Sequence, residues 1–207
     1  MLTTAELRWF YSGIMPISIN EWFTHDCPGE HLTPPTQRED LYLTTPGCEC
    51  LGIKLRQDHL EIKWRQSGLG VWELVYGLAG QAEQWVKWIC EPSPDKILPE
   101  ANLTKGRWIS VTKVRSQRKY EVLSDQSLIA VAIEQPVNLG CTVELTKLKV
   151  AGNTWWSLAF EAFGEDKALI NTLKVVTNYL LSNYQGPILQ AQDSFAYPNW
   201  LAEVVSG

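Results

Sequence analysis

Short runs of alternating polarity fill most of the chain up to Phe163. Ala5 to Tyr11 alternates and is rich in aromatics, which predicts a strand that Gly13 ends. Pro16 opens a predicted short helix, Ile17 to Thr24, because proline is tolerated in a first helical turn. Cys27 to Thr36 holds three prolines and a glycine and reads as a loop. Successive strands are then expected over 40–45, 50–57, 59–66, 71–78 and 83–91, with Ser67-Gly68-Leu69-Gly70 as a turn. Pro92, Pro94 and Pro99 make 92–106 an irregular connection. Further strands are expected at 107–115, 128–134, 141–150 and 154–163, and 119–123 either continues the first of these or turns back. Ala151-Gly152-Asn153 reads as a hairpin turn. Turn signals at intervals of roughly 8–12 residues, with no long helix between them, indicate antiparallel hairpins rather than parallel βαβ units.

The period then changes. Leu169, Leu173, Val176 and Leu180 recur at helical spacing, with Glu165 and Asp166 at the end where acids suit the helix dipole. Gly186-Pro187 stops this helix, and a second short one is expected near Tyr197 to Val205. The fold class is therefore α+β, mostly β. It is expected to be an antiparallel, closed or nearly closed β-barrel with flanking helices and a C-terminal helical segment, forming one domain over residues 1–207.

Residues two apart on a strand point the same way. Glu6 and Arg8 share a face. So do Lys54 and Arg56, then Glu61, Lys63 and Arg65, then Lys113 and Arg115. Glu144 and Glu161 are further candidates on the late strands. The opposite faces are apolar: Leu51, Ile53 and Leu55, then Leu60, Ile62 and Trp64. Two arrangements produce this pattern. Either the apolar face is the core and the charges are solvated, or the sheet closes around a polar interior with its apolar outside covered by helices and loops.

Bulk properties narrow the function. A net charge of −5 argues against a general nucleic-acid or membrane-surface binder. The first residues, Met1 to Glu6, lack the basic and apolar regions of a signal peptide, and no apolar run approaches the roughly 18–20 residues of a membrane helix. Five cysteines without such a signal suit a reduced, cytoplasmic setting, with Cys48, Cys50, Cys90 and Cys141 as small strand residues. Ten tryptophans imply much large apolar surface to bury. Trp85, Trp88, Trp155 and Trp156 are expected on the barrel exterior under helices. His25, His31 and His59 are isolated and read as solvated. No phosphate-cradling glycine loop or nucleophile motif is present.

The order of motifs adds a resemblance. Asp40-Leu-Tyr-Leu-Thr-Thr-Pro46 is followed by Gly52-Ile-Lys-Leu-Arg56 and Leu60-Glu-Ile-Lys-Trp-Arg65. Then come the basic Val111-Thr-Lys-Val-Arg115 and an acidic hairpin carrying Glu144 and Glu161. In this order the chain resembles a divergent member of the CYTH superfamily, the triphosphate tunnel proteins. The resemblance implies a tunnel binding a small phosphorylated or polyanionic molecule, with Arg8, Arg38, Lys54, Arg56, Lys63, Arg65, Lys113 and Arg115 as ligand-binding bases. It implies Glu6, Glu144 and Glu161 as ligands of Mg²⁺ or Mn²⁺, and a metal-dependent triphosphatase-like activity. The chain departs from the family in its carboxylates. Where the family carries Glu-x-Glu-x-Lys, this strand offers Thr4, Glu6 and Arg8, and the late acid pair reads Ala159-x-Glu161. Bases are kept and acids depleted, so binding is expected before catalysis. The alternative is a non-enzymatic scaffold that kept the barrel, which a lumen plugged by Glu–Arg pairs or aromatics would favour. A lipocalin-like barrel would instead have an apolar lumen and charges outside.

Overall fold

In the computed structural model, which describes residues 1–30, 32–57, 59–90 and 107–206, the alternating runs become nine strands of one antiparallel sheet. These are β1 (Leu2–Ser12), β2 (Thr36–Leu43), β3 (Leu51–Arg56), β4 (His59–Glu73), β5 (Ala79–Cys90), β6 (Trp108–Val122), β7 (Leu128–Val131), β8 (Gly140–Val150) and β9 (Asn153–Phe163). The strand order is β2-β3-β4-β5-β1-β9-β8-β6-β7, and a further pairing of β2 with β6 closes eight strands into a barrel. β6 is long enough to serve two partners on one side. Its first half pairs β2, and Lys119 to Val122 pair β7. Closure removes the exposed edges that an open sheet would present to other chains.

Three expectations change. The Ser67–Gly70 turn does not form: β4 runs through it, with irregularities between Arg65 and Ser67 and between Gly68 and Gly70. The two glycines serve bulges, Gly70 at φ +81°, and bulges let a long strand bend around a barrel. The turn lies instead at Val75–Gly77, so no strand spans 71–78, and β5 begins four residues earlier than expected at Ala79. Of the two courses expected for 119–123, continuation is the one taken, since β6 runs unbroken to Val122. The predicted connection at 92–106 lies outside the described residues, as do His31 and Asp58.

The helices cover part of the outside. α1 (Ile17–Glu21) runs into a π-helical turn, Trp22–Asp26. Arg118, buried on β6, holds that turn by donating to the carbonyls of Phe23, Thr24 and Gly29. α2 (Leu169–Leu181) buries Leu169, Leu173, Val176 and Leu180, the spacing its sequence predicts. These meet the outward faces of β1, β8 and β9, where Leu7, Trp9, Val143, Leu158 and Phe160 are fully buried. Trp9 is fixed by donating from Nε1 to the Ala79 carbonyl at 2.8 Å.

A second apolar cluster sits inside one end of the barrel. Phe10, Tyr42, Val111 and Leu148 point inward there and meet α3 (Tyr197–Ser206). Phe10 stacks on Trp200 with centroids 4.8 Å apart, and on Phe195 at 5.6 Å. Tyr197 stacks on Tyr42 at 5.1 Å. The sheet thus buries both of its faces near β1: one under α2, the other against a floor built by α3.

The floor depends on Trp200, which is fully buried. Trp200→Ala is expected to cost about 3–5 kcal/mol of unfolding free energy, the range for large aromatic truncations. Urea denaturation monitored by far-UV circular dichroism measures this.

Candidate ligand site in the barrel lumen

Above the aromatic floor the lumen is charged. The polar-interior arrangement is the one realised, and the apolar-lumen alternative is excluded by the lining. The cavity, about 210 Å³, is lined by eight bases: Arg8, Arg38, Lys54, Arg56, Lys63, Lys87, Lys113 and Arg115. Five acids line it as well, Glu6, Glu61, Glu83, Glu144 and Glu161. Asp40 lies fully buried behind the basic side chains. Eight bases against six acids leave two formal positive charges within a chain of net charge −5.

The charges are not evenly spread. On the side of β2, β3 and β6, Arg38, Lys54, Arg56, Lys113 and Arg115 share Asp40, Glu61 and Glu144. Asp40 is the hub. It accepts from Arg56 Nε at 2.9 Å and Arg56 Nη2 at 3.2 Å, with Lys113 Nζ at 3.2 Å and Arg38 Nε at 3.5 Å. Burial opposes its ionisation, but Lys113 and Arg56 outweigh burial and hold its pKa well below the usual carboxylate range. Glu144 lies between Arg8 at 3.4 Å and Arg115 at 3.2 Å, and those cations bring its pKa down to about 2 against the opposing effect of burial. Glu61 is likewise brought down to about 2 despite burial, chiefly by Lys54 at 2.9 Å, then by Arg56 at 3.0 Å and Lys87 at 3.1 Å.

The bases fare less well. Burial and the neighbouring Arg56 press the Lys54 pKa down to about 7, although Glu61 is in contact with it. Lys113 is 2% exposed, and burial lowers its pKa well below the ordinary lysine value, with Asp40 opposing. Its ammonium donates to Tyr42 Oη at 2.5 Å and Tyr197 Oη at 2.8 Å, and lies 4.0 Å from the Tyr197 ring centroid. Burial and Arg56 also lower Arg38. Among the described residues the buried Nε of Arg115 makes no hydrogen bond, and the buried Nε of Arg38 has only its 3.5 Å ion-pair contact with Asp40. Buried donors without acceptors are costly.

The side of β1, β4, β5 and β9 is compensated. Lys63 Nζ stands between Glu6 Oε1 at 2.5 Å and Glu161 Oε2 at 3.2 Å. Arg65 pairs with Glu83 at 2.6 Å and is not part of the cavity lining, in contrast to the other seven bases expected there.

The three expected metal ligands do not converge. Glu6 and Glu161 are direct partners across β1 and β9, whereas Glu144 faces Ala159 and is held by arginines. Among the described residues no group of three His, Cys, Asp or Glu side chains is placed to hold a metal ion, and an ammonium occupies the point between Glu6 and Glu161. The arrangement does not fit a divalent cation. Cys48 and Cys50, with sulfurs 3.6 Å apart, lie in the β2–β3 loop and not in the lumen lining.

Some lumen residues escape a sequence reading. Trp85, expected outside, lines the cavity, is buried, and donates from Nε1 to Glu83. Trp155 packs against Trp200 at the floor, while Trp156 does lie outside, stacked on Tyr11. Glu83, Lys87 and Tyr197 were not singled out as ligands. Strand alternation from Trp85 carried the signal for the first two, since 83, 85 and 87 share a face once one of them faces inward.

The class this geometry defines is a closed antiparallel barrel with a charged lumen and an aromatic cluster toward one end. In overall shape it is similar to a solved structure, the PH1819 protein from Pyrococcus horikoshii OT3, at a TM-score of 0.47 and 12% identity over 98% of each chain. No protein-family model and no curated protein matches the chain. Among the described residues no helix is long and apolar enough to cross a membrane.

Asp40 binds the basic side together. Asp40→Ala leaves the buried Lys113 without its carboxylate, while Arg56 keeps Glu61, and is expected to destabilise the fold by about 3–5 kcal/mol in urea titrations at neutral pH. Adding sulfate should recover more stability in this variant than in the parent.

Proposed function

We infer that the lumen binds a small molecule carrying several negative charges, with phosphate-type groups the best chemical match. The observation that carries this reading is the excess of bases around the cavity, eight lining it against six acids with Asp40 included, the arginines among them presenting forked donors. Arginine presents a planar fork suited to phosphate or carboxylate oxygens. Arg8, Lys54, Arg56 and Lys113 surround the same space and supply the remaining positive field. Hydrolysis of a triphosphate needs a cation on the phosphate oxygens and a positioned water. The reading here is therefore binding.

A non-enzymatic scaffold is the second reading. It is favoured by the pairing itself, because every acid lining the lumen has a basic partner within 3.4 Å. The two readings differ in calorimetry. Tripolyphosphate titrated into the protein should release or absorb heat with one site, and Arg38→Gln should weaken it about tenfold to a hundredfold, the loss of one charge-assisted bond. No heat at millimolar tripolyphosphate or sulfate would leave the scaffold standing.

Binding should also depend on pH. Lys54 in the free protein has a pKa of about 7, below its ordinary value of 10.5, so it loses its proton as pH rises through neutrality. An anion favours the protonated form. Sulfate affinity should accordingly be highest below pH 7 and fall above it, with proton uptake on binding near neutrality. Calorimetry in two buffers of different ionisation enthalpy reads that uptake directly.

A further inference from the structure

We propose that the Lys63 ammonium is a built-in cation at the acidic side of the lumen, standing where a divalent metal would otherwise bridge Glu6 and Glu161, so that anion binding here needs no metal ion. The inference rests on the ligand-binding reading above and adds to it how the acidic side is neutralised.

Glu6 and Glu161 face each other directly on β1 and β9. Like charges placed directly opposite on paired strands repel, and something must compensate them. Lys63 does so from β4, reaching past β5 to place Nζ on one oxygen of each carboxylate. Thr4 Oγ1 donates to the same Glu6 oxygen at 2.6 Å and fixes its orientation. Three neighbours thus hold one acceptor arrangement around a single positive centre. Electrostatics agree with the geometry. Burial works against both charged forms, yet Glu161 is held below its ordinary pKa by Lys63, and Lys63 is raised above its own by Glu161 and Glu6.

A hard divalent cation needs carboxylate oxygens at about 2.0–2.6 Å in an oxygen cage. The ammonium fills that point, and it is covalently tethered, so no dilution removes it. An ammonium has three donors. Two go to the carboxylates, and Lys63 also lines the cavity, which leaves the third for a ligand oxygen. Lys63 therefore supplies the bridge between acid pair and anion that a metal ion provides in a metal-dependent site.

The test uses the whole protein and Mn²⁺ alone, followed by electron paramagnetic resonance of the free ion and by thermal unfolding. The parent should leave the free Mn²⁺ signal unchanged. Lys63→Met should bind Mn²⁺ at least tenfold more tightly and gain Tm with added Mn²⁺. The double variant Lys63→Met with Glu161→Gln should lose that gain. Lys63→Gln, which keeps a donor to one carboxylate, serves if the methionine variant does not fold. Parent protein that binds Mn²⁺ as tightly as a folded Lys63 variant overturns the proposal, and so does a folded variant that gains no binding. Tripolyphosphate binding to the parent in EDTA supports it, whereas binding only after Mg²⁺ is added overturns it and leaves the ligand-binding reading intact. Absence of tripolyphosphate binding under both conditions removes the ligand-binding reading, and the Mn²⁺ comparison still decides the role of Lys63.

Discussion

Asp40 is the point on which the basic half of this barrel rests. One fully buried carboxylate meets Arg56 twice, Lys113 once and Arg38 at longer range. Three cations drawn from β2, β3 and β6 converge on it, so the closing strand pair and the strand beside it are tied through one side chain. A buried ion pair repays its desolvation only when its remaining donors and acceptors are met. Asp40 meets that condition for itself. It leaves its cations in excess, and the excess is concentrated around the open cavity. The same interaction thus ties the closing strands together and gathers the bases around the cavity.

The other side of the lumen follows a different rule. Glu6, Glu161 and Lys63 close on one another, as do Glu83 and Arg65. The lumen is therefore polarised: one wall is undersupplied with acceptors, the opposite wall is nearly satisfied. Aromatic packing around Phe10 sets the depth of the charged space, because Tyr197 caps it with a hydroxyl for Lys113 and a ring for Arg8 at 5.0 Å. The α3 helix is structural in its packing and chemical in this one residue.

Much of this was legible in the alternation of residues. Lys54 with Arg56, and Lys113 with Arg115, share faces because strands repeat every two residues, and that period holds whatever the fold. Which face turns inward was not legible from the period, since a solvated sheet and a polar lumen have the same one. The choice is made by closure, a pairing of β2 with β6 that no local pattern encodes. Gly68 and Gly70 misled for a related reason: a glycine pair signals a turn or a bulge equally, and the curvature demanded by the barrel selects the bulge. Trp85 reads as an outward residue because large aromatics usually pack under a helix, whereas here Glu83 accepts its indole N–H and makes an inward position tolerable. The failure of Glu144 to join Glu6 and Glu161 is a matter of register, two residues along the strand from the partner of Glu161, which spacing in sequence does not show.

The position of β1 in the strand order has a consequence for assembly. It lies between β5 and β9, and its register sets Arg8 against Ala159. The strand nearest the start of the chain is thus completed by one of the last, across a sequence separation that makes loop closure slow. The pairing of β1 with β9 thus brings Glu6 to Glu161 on one face and Leu7 to Phe160 on the other, so one strand contact completes part of the charge network and part of the helix-covered core together.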